Sequence, residues 1–193
     1  MSTEKKMSDD VKRLHTFAES GVISAQFQLG DHYWKGEGVP EDKAEAVKWL
    51  RKVVEQESVD IESQQIQFKA QYQMGMCHFD GNGVPEDKAE AVKWLRKSAE
   101  QGFSLAQFKL GMCLLDGDGI SKDETEAVDW LRKAAGRRHA LAQFYLGTCY
   151  LVGTGVPSNR EATIEWLRTA ADQGLEVAAE LLRIIQEIDK AEQ

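Results

Sequence analysis

The stretch GVPEDKAEAVKWLRK occupies residues 38–52, and the same 15 residues recur unchanged at 83–97. Its content is architectural. Gly38 shapes a turn, and Asp42 suits a helix N-cap. Glu45 follows three residues later, which is the capping-box spacing. Tryptophan and leucine then begin a buried stripe, continued in the second copy as Trp94, Leu95, Ser98 and Ala99. A turn, a cap and a core face make a building block rather than a reactive site.

The block belongs to a longer period. Trp49, Trp94, Trp130 and Trp166 are separated by 45, 36 and 36 residues. Ala25, Ala70, Ala106, Ala142 and Ala178 are separated by 45, 36, 36 and 36. The period is therefore 36, with nine extra residues between Val53 and Ala70. Such a period marks a stack of helix pairs, in which each unit buries its apolar face against its neighbours.

The first helix of each pair, helix A, carries alanine, then leucine or methionine, then glycine: Ala25, Leu29, Gly30; Ala70, Met74, Gly75; Ala106, Leu110, Gly111; Ala142, Leu146, Gly147. Tyr33, His78, Leu114 and Tyr150 complete this helical face. Glycine inside a helix costs about 1 kcal/mol against alanine, so a glycine repeated there predicts close approach of the partner helix. A G-x-G follows each time: Gly36/Gly38, Gly81/Gly83, Gly117/Gly119 and Gly153/Gly155. Each G-x-G follows a helix rather than a strand, so it predicts a helix stop and turn, not a phosphate loop. Helix B is expected to begin near Asp42, Asp87, Asp123 and Asn159 and to stop near Gly102, Gly136 and Gly174. The expected organisation is an N-terminal cap at 1–21, then four repeats at 22–68 (with the insert), 69–102, 103–138 and 139–174, then a C-terminal cap at 175–193. The insert, within VEQESVDIESQQIQFKA at 54–70, has no Gly or Pro and is expected to lengthen one or both flanking helices. Its Val59, Ile61, Ile66 and Phe68 need somewhere to pack.

These motifs resemble those of Sel1-like repeats, relatives of the tetratricopeptide repeats. The residues carrying the resemblance are AQFYLGTCYLVGTGV at 142–156 and TIEWLRTAADQG at 163–174, with equivalents over roughly 22–190. The resemblance implies an all-α fold, a right-handed α-α solenoid. It also implies a non-enzymatic scaffold or adaptor that binds a partner peptide or protein in a concave groove. Two alternatives stand beside it. One is a secreted, β-lactamase-like or cell-wall ligand-binding protein of the cysteine-rich branch of the family. The other is an obligate subunit of a larger assembly.

Composition narrows these alternatives. The net charge of −8 argues against nucleic acid and anionic membrane surfaces as main partners. No run approaches the ~18 apolar residues of a membrane span. The start MSTEKKMSDD lacks an apolar core, so no secretory signal is expected and the cytosol is the expected compartment. Cys77, Cys113 and Cys149 lie 36 residues apart and fill one slot of helix A. Successive helices ~10 Å apart hold such thiols beyond disulfide reach, so buried free thiols are expected. No metal site, cofactor or catalytic residue is expected.

The candidate binding residues follow from the tetratricopeptide resemblance, which implies that defined helix A positions line the groove. Carried across, these positions are Ser24, Lys69, Leu105 and Leu141; Phe27, Tyr72, Phe108 and Phe144; Asp31, Met76, Met112 and Thr148; and Trp34, Phe79, Leu115 and Leu151. From these, Trp34, Phe79, Met76, Met112 and Leu115 are the candidate apolar contacts, with Asp31, Asp80 and Asp116 as an acidic rim. The partner expected to fit is apolar and partly basic. The Phe/Tyr series is expected to pack between neighbouring A helices.

Overall fold

The computed structural model describes residues 7–58 and 60–191. Among them the regular secondary structure is α-helical, with no strand. The chain divides into two compact units, Met1–Gln101 and Gly102–Gln193. The first contains α1 (Asp9–Glu19), α2 (Ile23–Lys35), α3 (Lys43–Glu55), α4 (Ile61–Asp80) and α5 (Lys88–Glu100). The second contains α6 (Ser104–Asp116), α7 (Glu124–Gly136), α8 (Ala140–Val152), α9 (Arg160–Ala171) and α10 (Glu176–Ala191). In each unit, consecutive helices pack on one another.

The A-helix glycines stand where helix B crosses. A Cβ on Gly75 would lie 2.9 Å from Leu95 Cγ and 3.2 Å from the Ala91 carbonyl oxygen. On Gly111 and Gly147 it would lie 3.0 and 3.1 Å from Leu131 and Leu167. Those three leucines are fully buried. Gly30 is looser, with its nearest neighbour, the Ala46 carbonyl oxygen, at 3.4 Å.

The helix boundaries follow the expected signals, with one correction. Asp42, Asp87, Asp123 and Asn159 are N-caps, each accepting a hydrogen bond from the backbone N–H three residues on. The reciprocal arm of the capping box is replaced. The Asp42, Asp87 and Asp123 N–H groups donate to the carbonyls of Tyr33, His78 and Leu114 in the preceding A helix. Glu45 and Glu90 turn outward to Lys48 and Lys93, and Glu126 accepts from Trp130 Nε1. The tertiary bond thus satisfies the orphan donor and fixes the entry of helix B. Helix α7 ends at Gly136, as expected, but Gly136 itself is not left-handed. That conformation falls on Arg138 (φ 63°), the place held by Gly102 (φ 90°) and Gly174 (φ 88°).

The insert lengthens helix A alone. Helix α3 keeps 13 residues while α4 has 20. Seven residues are added to the start of α4, and the linker at 56–60 is longer than its equivalent at 137–139 by two. Gln67 anchors the addition by donating to the Val53 carbonyl (3.2 Å) and to that of Gln56 at the end of α3. Ile66 packs on the core, Phe68 is half-buried, Ile61 is 74 % exposed, and Val59 lies outside the described residues. The tryptophans are less uniform than their spacing suggests. Trp49 and Trp130 are buried, whereas Trp94 and Trp166 are half-buried against the cores of their own units. Lysines three residues on cover Trp49, Trp94 and Trp130, with Nζ 3.9, 4.3 and 3.7 Å from the ring centroids.

Candidate protein-binding site

In the first unit, α2 and α4 leave a cavity of about 130 Å³ between them. Gly30, Asp31 and Trp34 line it from α2, and Tyr72, Gln73, Met76 and Cys77 from α4. Leu50 of α3 forms its floor. A Cβ on Gly30 would meet Ala46, Trp49 and Leu50 of α3. Trp34 itself packs partly on the core cluster built around Val47, Leu50 and Met74.

The polar groups around this space are already engaged. Asp31 pairs with Lys35 across one helical turn at 2.6 Å. Lys43 lies 5.5 Å from the Trp34 ring centroid and 3.4 Å from Asn82 Oδ1. Burial pushes the Cys77 thiol up to about 11, aided by the negative charge of Asp80. Burial also raises the Tyr72 phenol, with Asp80 again contributing. Both groups are neutral at physiological pH, so the cavity offers no thiolate nucleophile. The exposed carboxylate of Asp80 lies outside the lining, and its charge acts on both groups.

Of the residues expected to bind a partner, Asp31, Trp34 and Met76 come together around the cavity. Phe79 is half-buried outside it, with Lys88 Nζ 5.2 Å from its ring centroid, and Asp80 is exposed at the end of α4. The remaining three belong to the second unit. Met112 is half-buried, Leu115 packs on the cluster of Val128, Leu131 and Leu146, and Asp116 is exposed. Sequence reasoning placed Tyr72 among the packing positions and missed Gly30, Leu50, Gln73 and Cys77 as lining. Gly30 carried a signal, since it lies on the same helical turn as Asp31 and Trp34. Nothing in the sequence marked Leu50, which reaches the cavity from α3.

The Phe/Tyr series, expected between neighbouring A helices, makes different contacts in different copies, and Tyr72 lines the cavity. Phe27 lies on the core with Trp34, Phe144 packs against α9 and α10, and Phe108 stacks on His139 at 4.8 Å. The three cysteines are buried, and none of them forms a disulfide. Among the described residues, no group of three or more His, Cys, Asp or Glu side chains could hold a metal ion. Among the described residues, no helix is long and apolar enough to cross a membrane.

The family description Sel1 repeat matches residues 23–58, 68–103, 104–139 and 140–175. The chain belongs to the Sel1 repeat family. It is similar to a protective antigen of uropathogenic Escherichia coli with an SLR fold, at 32% identity and a TM-score of 0.81 over 91% of this chain and 36% of that one. A Sel1 repeat protein from Oxalobacter formigenes is 34% identical, with a TM-score of 0.77 over 91% of this chain and 48% of its own. The chain thus spans about a third and about half of these two relatives. Helicobacter pylori cysteine rich protein B, at 24% identity and a TM-score of 0.53, shares the fold. Comparison with curated proteins returned no match. The fold class is therefore the all-α solenoid of Sel1 repeats, whose members are generally scaffolds for protein–protein interaction.

Proposed function

We propose that this Sel1 repeat chain is a non-catalytic interaction module, and that the α2–α4 cavity receives one apolar side chain of a partner peptide. The carrying observation is the unfilled, mainly apolar space between Trp34, Leu50, Tyr72 and Met76. Interface anchors are typically large side chains that fill such pockets, and methionine and aromatics are favoured walls. The Trp34 side of the pocket rests on a packed core, so little ordering entropy is lost on docking. The charge of Asp80, felt at both Tyr72 and Cys77, favours a Lys or Arg beside the anchor. The neutral Cys77 thiol supports binding rather than covalent chemistry. The cytosol is the compartment that suits buried thiols outside any disulfide.

The test is selection of displayed random peptides on the immobilised full chain. The expected consensus is one large apolar residue next to Lys or Arg. The selected peptide should bind at least 10-fold more weakly to Trp34→Ala and to Met76→Lys, at unchanged helical circular dichroism. Equal binding to both variants overturns the site. Collapse of the fold in Trp34→Ala would show that Trp34 serves the core, and Met76→Lys then decides.

A further inference from the structure

The last helix carries a second surface, which does not depend on the cavity. In α10, Val177, Leu181, Ile184 and Ile188 recur at spacings of four, three and four. That is the seam of a coiled coil. Val177, Ile184 and Ile188 are 50, 42 and 49 % exposed, while Leu181 is half-buried. Ala178 and Ile185 are buried in the core cluster with Leu167 and Ala170 of α9, and Leu181 and Leu182 pack on it, so Leu181 joins the seam to the core while Val177, Ile184 and Ile188 stand outside that cluster. The equivalent stripe of α6 is mixed: Leu105, Lys109, Met112, Asp116. In α8 it is Leu141, Tyr145, Thr148, Val152, with Leu141 and Val152 exposed. The stripe therefore becomes steadily more apolar through the unit and is wholly so in α10.

Three occupants can be distinguished. A further Sel1-type helix B is disfavoured by Arg183. It stands 36 residues after Gly147, in the slot where even a Cβ would come within 3.1 Å of the crossing leucine. A second copy of this chain is disfavoured by charge and bulk. Glu180 and Glu187 line the open flank of the seam, so an antiparallel symmetric pair sets glutamate against glutamate. A parallel pair sets them against Ala178 and Ile185, which are covered by the chain's own core. The third occupant matches both features: an amphipathic helix of another protein with an apolar seam and Lys or Arg on its flank.

We infer that α10 is a docking site for such a basic-flanked amphipathic helix. Arg183 pairs with Glu180 at 2.7 Å and approaches Glu187 at 3.9 Å, holding both carboxylates beside the seam.

The probes are two stapled helical peptides with the same leucine–isoleucine seam, one flanked by lysines and one by glutamates. Binding to the full chain is read by fluorescence anisotropy, and oligomeric state by light scattering. The lysine peptide should bind at least 10-fold more tightly than the glutamate peptide. Ile184→Gln with Ile188→Gln should cost at least 10-fold at an unchanged melting temperature, because both side chains are solvent-facing. Glu180→Lys with Glu187→Lys should reverse the preference. Trp34→Ala should leave the affinity unchanged, which separates this surface from the cavity. Three results would each overturn the inference: no binding of the lysine peptide, equal binding of both peptides, or a mass of twice 21.7 kDa that returns to 21.7 kDa in the Ile184/Ile188 variant. The last of these would assign the seam to a second copy.

Discussion

At the residue scale, the repeated A-helix glycine has different consequences in different copies. Alanine in place of glycine gains about 1 kcal/mol of helix propensity. At Gly75 the new Cβ meets Leu95 at 2.9 Å and a backbone oxygen at 3.2 Å, and overpacking of this kind costs about 1–3 kcal/mol. Gly75→Ala should therefore be net destabilising. At Gly30 the contacts are 3.4 Å or longer, so the propensity gain survives. Gly30→Ala should raise the melting temperature by about 2–4 °C, the shift for about 1 kcal/mol in a chain of this size. A thermal melt of the two variants decides it, and equal destabilisation would show that Gly30 is as crowded as Gly75. Arg138 makes the opposite case. It pays for a left-handed backbone that glycine adopts without strain, and its side chain is exposed. Arg138→Gly should stabilise by about 0.5–1 kcal/mol, read as a higher urea midpoint. The glycine positions were visible in the sequence because they recur with the repeat, at spacings of 45, 36 and 36 residues. The Arg138 conformation was not visible, because an arginine gives no signal for a positive φ and the helix itself ends at Gly136 as expected.

At the element scale, helix starts were legible wherever the cap is an Asp or Asn of the repeat. The start of α8 was not, because its N-cap is His139. The His139 Nδ1 accepts from the Ala142 N–H at 3.1 Å, and the ring stacks on Phe108. Only the neutral ring with an unprotonated Nδ1 can accept that bond. Burial holds the His139 pKa below its ordinary value of 6.5. The unfolded chain therefore takes up the proton first. Stability is fully present above pH about 6.5 and is lost as pH falls from there through the lowered folded value. Asparagine caps without titrating. The urea midpoint of the wild type should fall on passing from pH 7.5 to pH 5.5 by more than that of His139→Asn. The other histidines and the carboxylates are common to both proteins and cancel in the comparison. Identical pH profiles would show that the cap does not depend on the neutral ring. The long α4 was legible only as a pair of alternatives. The choice between lengthening α3 and lengthening α4 depends on Gln67 reaching the end of α3, a contact across 14 residues that local propensity does not encode.

At the scale of the whole molecule, the repeat period was enough for the architecture, because stacking is a nearest-neighbour rule that every copy restates. The cavity was only half legible. It exists where Gly30, Leu50 and Met76 meet, and no single helix announces that meeting. The same nearest-neighbour rule makes a prediction about the end of the stack. Helix α10 buries Ala178 and Ile185 and covers Leu167, Ala170, Phe144 and Leu151. Arg160 of α9 holds its last turns by bonding to the Ile185 carbonyl and the Asp189 carboxylate. Deleting 176–193 uncovers that cluster. Each large aliphatic side chain removed from burial is worth about 1.5–3 kcal/mol, offset in part by the freedom of a segment that no longer has to order. The urea midpoint should drop, and hydrogen exchange should show where. In a stack coupled only through neighbours, protection falls first in α8 and α9 and is kept in α2–α5. Uniform loss across all helices would instead show that the chain unfolds as one cooperative body, with α10 holding the whole of it. The pair Ile184→Gln and Ile188→Gln is the control. It removes exposed apolar surface from the same helix and should leave both the midpoint and the exchange pattern unchanged, because the core contacts of α10 are made by Ala178, Leu181, Leu182 and Ile185.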